Sequence, residues 1–472
     1  MPKKYKKKIA ICHYRIGGTD GVSLEIAKHK KILEDNGCQV KLIAGNQSNG
    51  ANYIIKELEW DNDIIPVIKE NGFLYYKRQD FDNKTFKEKM KLVADKIYKK
   101  LVKIQRKEKF DYILIHNIFS FGGHTAAAKA FYDWINKFKI PCLATHHDFY
   151  WENIEYHAPR NKYLKKYMDK YMPPHSPLIE HLVINSLAKK ELKKRKRIKA
   201  LVFPDIFDFD QPAWQKDKYN KNFLKQFGIK PSDIFVLQAT RVIPRKGVEI
   251  AIDFVKKLQE NISKINGRLI YNGKKINERT KVVLVIAGYA ENEKYDYLLK
   301  IKAKTLDEKI NTKFISENIK AERSTKGGNK IYSLWDAYVY ADLVTFPSVW
   351  EGWGNQFIEA VFAKKPIVAF EYPVFKKDIK KEGYKIISLG SKIEKKDERD
   401  LYKIPQKNIN KAVKKSIKWL LNKKLKKKLD KNYQIGKKYH DFRFNRQNWL
   451  VISFLIFKII IPSDEIFSVF FA

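Results

Sequence analysis

"VTFPSVWEGWGNQFIEAVFAKKPIVAF", residues 344–370, reads as strand, glycine loop, helix and second strand in a single run. Val344-Thr345-Phe346 is β-branched and aromatic, and Pro347 ends it because proline cannot donate to a sheet ladder. From Asn355 onward apolar residues recur at helical spacing, at Phe357, Ile358, Val361 and Phe362, until Pro366 breaks the pattern ahead of "IVAF". Two short apolar strands joined by a helix predict parallel neighbours, which need a crossover connection. The loop between strand and helix holds Trp350, Glu351, Gly352, Trp353 and Gly354, and a second acid, Glu359, follows in the first turns of the helix.

The same grammar extends in both directions. Upstream come the strand "IFVLQAT" (234–240), the helix "GVEIAIDFVKKLQE" (247–260), the strand "KVVLVIAG" (281–288) and the helix "ENEKYDYLLKIKAKTL" (291–306). An earlier set begins with "KKIAICHYRIGG" (7–18), a strand ending in two glycines, then a helix to Asn36-Gly37 and the strand "CQVKLIAG" (38–45). "YILIH" (112–116), "IPCLATHHD" (140–148) and "EHLVINS" (180–186) continue it. The predicted class is α/β, with two Rossmann-like, doubly wound parallel-sheet domains facing across a cleft. The first spans 1–203, a linker 204–215, and the second 216–407; lysine-rich helices at 408–445 pack back toward the first domain, and 446–472 form an apolar tail. "NISKINGRLIYNGKKINERT" (261–280) reads as a surface insertion.

Composition agrees with two cores. The chain has 472 residues, 44% hydrophobic and 14% aromatic, beyond the size of one ordinary domain. Its 95 Lys+Arg against 53 Asp+Glu give a formal charge of +42, a field that draws phosphorylated molecules, nucleic acid or anionic membrane. The lysines are scattered along the whole chain, so a lysine-rich bias on solvated helix faces also accounts for them. Cys12, Cys38 and Cys142 cannot all pair with one another, and a reducing cytoplasm suits them. The apolar run before Pro462 is interrupted by Lys458 and falls short of the ~20 residues of a spanning helix. Contact with the inner membrane face through the tail or basic patches remains a second reading.

Ligands of open parallel sheets sit beyond the carboxyl ends of the strands. The residues to weigh are therefore Gly17-Gly18, His116-Asn117, His146-His147-Asp148, Arg241 to Lys246, and the quoted loop. In "QATRVIPRKG" a guanidinium at Arg241, another at Arg245 and an ammonium at Lys246 follow one strand, which suits a diphosphate. Solvated cations in a basic protein are the plainer account of that cluster taken alone. Gly352 and Gly354 let backbone approach a ligand, and the N–H groups starting the next helix near Asn355 attract anions. Glu359 is then placed for ribose hydroxyls and Glu351 for a sugar ring, though an acid near a helix start is also favoured by the dipole.

Taken together, "PSVWEGWGNQFIEAVFAKKPIVAFEYPVF" resembles the glutamate-seven-glutamate signature of retaining family 4 glycosyltransferases, which have the GT-B fold. "ATRVIPRKGVEIAI" resembles their diphosphate clamp, and "RIGGTDGVSLEIAKHKKILEDNG" their N-terminal glycine loop and first helix. The acceptor side is similar to the mannosylglucosyl-3-phosphoglycerate synthases. The resemblance implies a hexosyltransferase with Arg241 and Lys246 stabilising the leaving diphosphate, and Glu351 and the Gly352, Trp353, Gly354 and Asn355 loop against the sugar. It implies Glu359 on the ribose, and Gly17 and Gly18 admitting the diphosphate and acceptor. It also implies that His147 faces the transferred sugar as a catalytic group beside Asp148, with His146 as the other choice. His116, Asn117, Tyr150 and Trp151 belong to the acceptor side, although core packing is the commoner use of such aromatics. Trp353 and Asn355-Gln356 depart from the family's usual phenylalanine and leucine-proline, which leaves the hexose open. The implied partners are a nucleotide sugar, GDP-mannose or UDP-glucose, and a small polar acceptor, phosphorylated or carboxylated. No cofactor, metal or nucleic acid is expected. The rival readings are an envelope-linked glycan acceptor and, from another class, a basic nucleic-acid- or membrane-binding protein that keeps a transferase-like fold. "DND" (61–63) and "DFD" (208–210) read as turn and linker aspartates rather than metal ligands.

Overall fold

The structure, a computed structural model, describes residues 7–18, 20–45, 50–62, 64–76, 82–290 and 295–441. The tail expected at 446–472 and Asp63 of the "DND" segment lie outside the described residues. The described chain falls into two compact units, one reaching Ile206 and the other beginning at Phe207.

The first unit is built on seven strands: β1 (Lys8–Cys12), β2 (Gln39–Ala44), β3 (Tyr53–Ile54), β4 (Tyr112–His116), β5 (Cys142–His146), β6 (Ile179–Val183) and β7 (Leu201–Val202). They lie in the order β3-β2-β1-β4-β5-β6-β7, and every neighbouring pair is parallel. Strands β1, β4 and β5 are buried on both faces, which explains their near-continuous apolar sequence. Asp20 caps the first helix, Gly21–Asp35, accepting from the Ser23 amide at 3.1 Å, so that helix starts at the carboxyl end of β1. The helix Asn83–Glu108, not foreseen from the sequence, packs against Thr125–Phe138 on one side of the sheet.

The second unit carries β8 (Ile234–Gln238), β9 (Val282–Ile286) and β10 (Asn311–Phe314), then β11 (Ile319–Lys320), β12 (Ser324–Lys326) and β13 (Asn329–Ser333), and finally β14 (Leu343–Phe346), β15 (Ile367–Ala369) and β16 (Ile387–Ser388). Six of them form a parallel sheet in the order β10-β9-β8-β14-β15-β16. The other three make a small sheet in which β12 and β13 pair antiparallel. "KGGNK" (326–330) holds the turn of that hairpin: Gly327 and Gly328 take φ of 54° and 78°, the left-handed pair that a tight two-residue connection requires.

The segment 261–280 is a surface insertion, most of its residues exposed, and it is anchored to the second unit. Asn272 Nδ2 donates to Asp342 Oδ1 at 2.6 Å, Lys274 Nζ meets Asp342 Oδ2 at 2.5 Å, and Ile270 and Ile276 are buried. The helices Gln406–Leu420 and Leu425–His440, expected to turn toward the first domain, belong to the second unit, packing on Val248–Ile262 and Asn355–Phe362 respectively. Within the span expected to be a linker, Phe207, Phe209 and Trp214 pack on Phe362 of the second unit, with ring centroids 5.1, 5.8 and 4.7 Å away. Among the described residues no helix is long and apolar enough to cross a membrane.

Candidate active site

In the second unit β8 and β14 are adjacent, so the loops at their carboxyl ends touch. The Val349 amide donates to the Arg245 carbonyl at 2.9 Å, locking the two loops together. Gly247, at φ 58°, permits this approach, since a Cβ there would fall 2.6 Å from the Pro347 carbonyl oxygen. The result brings together residues about a hundred positions apart. Lys246 Nζ and Arg245 both bond the Glu351 carboxylate, one to each oxygen. The Lys246 and Glu351 side chains are only 5% and 7% exposed, so this is a buried ion pair.

Burial opposes both charges, and the outcome differs between the partners. Burial lowers the Lys246 pKa to about 8, assisted by Arg245 and Arg241 and resisted by Glu351. For Glu351 burial acts upward, but Lys246 and Arg245 overcome it and hold the carboxyl at about 2. At neutral pH both are ionised. Arg241, three residues beyond β8 and half-buried, completes the cationic group.

Glu359 sits one turn inside the helix Asn355–Phe362 and is buried, accepting from Tyr338 Oη at 3.0 Å. Gly354 precedes that helix at φ 140°, and a Cβ there would meet Tyr372 Oη at 2.5 Å. The tyrosine hydroxyl in turn donates to the Trp353 carbonyl. Trp353 belongs to the expected loop through its backbone. The turn at Gly354 sends its indole, 3% exposed, into the interior, where it meets the His440 ring edge-on at 5.5 Å. Gly352 and Asn355 remain partly exposed on the loop and at the first helical position.

In the first unit the expected acceptor-side residues gather at the carboxyl ends of β1, β4 and β5. Asn117, held at φ 59°, joins β4 to β5: its Oδ1 accepts from the His147 amide at 2.7 Å and the Asp148 amide at 3.3 Å. Asp148 is exposed, and so is Gly17, at φ 79°, in the loop after β1, with Gly18 half-buried beside it. His147, the residue expected to face the transferred sugar, directly follows β5. It is buried, its Nε2 2.9 Å from His116 Nδ1 and its Nδ1 3.5 Å from Asp205 Oδ1, long for a hydrogen bond. Burial works to lower its pKa, yet the Asp205 carboxylate raises it above the ordinary histidine value. His146, the other choice, is buried, its Nε2 lies 2.9 Å from His181 Nδ1, and burial drives its pKa well down. Trp151 stacks on Phe149 at 4.3 Å with Arg195 5.4 Å from the ring, and Tyr150 packs on the core; both are half-buried.

Sequence reasoning missed Tyr338, Tyr372 and Asp205. The first two stand in apolar helical or strand-end patterns with nothing to single them out, and Asp205 lay in a presumed linker. Arg245, by contrast, stood in the quoted cationic run. Among the described residues no cluster of histidine, cysteine and acid side chains has the makings of a metal site.

The family described as glycosyl transferases group 1 matches residues 220–435. The chain is 39% identical over 405 residues to a mannosylglucosylglycerate synthase of Petrotoga mobilis, covering 86% of this chain and 91% of that protein. A second mannosylglucosylglycerate synthase, of Thermotoga maritima, is 34% identical over 434 residues, covering 92% and 96%. A solved glycosyltransferase structure from Rickettsia africae ESF-5 shares the fold at a TM-score of 0.60 and 15% identity, covering 96% of this chain and 99% of that one. With relatives at this identity along nearly their whole length, the chain belongs to the group 1 glycosyl transferases and is a hexosyltransferase of GT-B fold.

Proposed function

We propose that the protein transfers a mannosyl group from a nucleotide-activated mannose to glucosylglycerate, with retention at the transferred carbon. The observation that carries this reading is the buried cluster of Lys246, Arg245 and Glu351, assembled from two adjacent strand ends. The names of the two relatives direct the choice of substrates, and they contain glycerate rather than phosphoglycerate. The acceptor proposed is therefore carboxylated and unphosphorylated.

A donor diphosphate competes with Glu351 for Lys246 and Arg245. The phosphates take the cations, and the freed carboxylate turns to the hydroxyls of the sugar. Glu359, positioned by Tyr338, binds the ribose. The acceptor hydroxyl attacks the anomeric carbon as its bond to the diphosphate breaks, and the hydroxyl proton passes to a donor phosphate oxygen. The protein's contribution is positioning and preformed positive charge where negative charge develops. No metal enters this scheme. Three buried, unpaired thiols, Cys12, Cys38 and Cys142, support a cytoplasmic setting.

The test is a panel of GDP-mannose and UDP-glucose against glucosylglycerate and glucosyl-3-phosphoglycerate, read by mass spectrometry with and without EDTA. We expect mannosyl transfer to glucosylglycerate at the same rate in both buffers. Absence of a disaccharide product, or its loss on chelation, would overturn the scheme. The ribose role has its own check. Glu359→Ala is expected to weaken binding of the free nucleoside diphosphate about tenfold, the scale of one lost charge-assisted contact; an unchanged Kd in calorimetry would remove that role.

A further inference from the structure

The loop after β1 contains a guanidinium that neither the family match, which begins at residue 220, nor the donor scheme employs. Arg15 is 44% exposed along its side chain, directly ahead of the exposed Gly17. Its guanidinium carbon lies 4.8 Å from the centroid of the Trp60 ring. Trp60 is itself fixed in an aromatic group, 6.2 Å from Tyr14 and 5.6 Å from Phe121 between centroids. Stacking on an indole occupies the face of a guanidinium and leaves its N–H edge available, the edge that receives a carboxylate through two parallel bonds.

The acid nearest that edge is loosely engaged. Asp20 Oδ2 stands 3.5 Å from Arg15, long for a charge-assisted bond, and Asp20 is already committed to the Gly21–Asp35 helix. Its Oδ1 accepts from the Ser23 amide at 3.1 Å and its Oδ2 from Ser23 Oγ at 2.7 Å. Arg15 is thus a preoriented, half-open cation at the same carboxyl edge of the first sheet as Asn117 and Asp148. The two substrates proposed above present different anions, a diphosphate on the donor and a carboxylate on the acceptor. The second unit supplies Lys246, Arg245 and Arg241 for the first of these. We propose that Arg15, stacked on Trp60, binds the acceptor's carboxylate and so selects a glycerate over a neutral polyol; this rests on the reading of glucosylglycerate as acceptor.

The experiment compares wild type, Arg15→Gln and Arg15→Lys with GDP-mannose as donor. The acceptors are glucosylglycerate and glucosylglycerol, which differ only in carboxylate against hydroxymethyl. Arg15→Gln is expected to lower the ratio of kcat/KM between the two on the order of 100-fold, chiefly through KM for glucosylglycerate, as loss of a paired charge at a recognition site does. Arg15→Lys, which keeps the charge and loses the fork, should recover part of the ratio. Equal losses on both acceptors, or a rise in donor KM that accounts for the loss, would overturn the assignment. Wild type that uses glucosylglycerate alongside an undiminished Arg15→Gln leaves the proposed function standing and removes Arg15 alone. Wild type that ignores glucosylglycerate removes both.

Discussion

Lys246→Ala is expected to lower turnover by about 10²- to 10³-fold, the range measured when one preorganised stabiliser of developing charge is removed. Three features make the effect large. The ammonium is nearly inaccessible to water, so no solvent cation replaces it. It ends the short turn Pro244–Lys246 beyond β8, where packing against the loop after β14 leaves it little freedom. Its pKa of about 8 keeps it charged at neutral pH while its burial makes that charge act strongly. The same value sets a pH dependence. As pH rises through about 8 the free enzyme loses the proton, so kcat/KM for the donor should fall along an alkaline limb that the alanine variant lacks. A bound diphosphate would pull the lysine pKa upward, moving the corresponding limb of kcat to higher pH. Near-normal turnover in a well-folded Lys246→Ala, verified by thermal melting, would remove the lysine from the reaction.

The parts of this site that the sequence announces are the local ones. Strand β14, its glycine loop and the helix Asn355–Phe362 lie within about twenty consecutive residues, so hydrophobic period and punctuation by Pro347 and Gly354 declare them. The cations after β8 are legible for the same reason. What lies beyond reading is how side chains turn once distant segments meet. Trp353 turns inward because Gly354 adopts a positive φ and the Tyr372 hydroxyl holds the carbonyl, and that tyrosine stands 19 positions away. His147 lies buried beside His116, the last residue of β4, and Asp205, in the irregular stretch after β7, which no spacing rule connects. The insertion at 261–280 is pinned by Asp342, a partner 68 and 70 positions away. The hairpin at Gly327-Gly328 was different, because its two-residue glycine turn was in view and a strand reading of its flanks would have found it.

The buried pair also makes a prediction about stability that is independent of any substrate. Glu351→Gln keeps the shape of the side chain and removes its charge, leaving Lys246 buried with only cations and a neutral amide beside it. Breaking one partner from a buried pair costs about 3 kcal/mol or more, since the remaining charge stays desolvated. The pH dependence identifies the cause. In wild type the Glu351 carboxyl titrates near 2 against an unfolded value of 4.5, so its contribution is complete above 4.5 and is lost as pH falls toward 2. Lys246 adds a second, more alkaline window whose slope has the same sign. Its folded pKa of about 8 lies below the unfolded 10.5, so the unfolded chain binds more protons between those values and stability rises with pH across that window. Without Glu351, which holds the lysine pKa up, the window opens at lower pH in the variant. The variant should therefore gain stability relative to wild type as pH climbs toward 8, by up to about 1.4 kcal/mol for each unit the lysine pKa has dropped, and the gap should then stay constant above it. Urea unfolding of both proteins at several pH values between 6 and 9 measures this directly. Curves that remain parallel throughout would mean that Lys246 does not depend on Glu351 for its charge, and the buried pair would lose its place at the centre of the site.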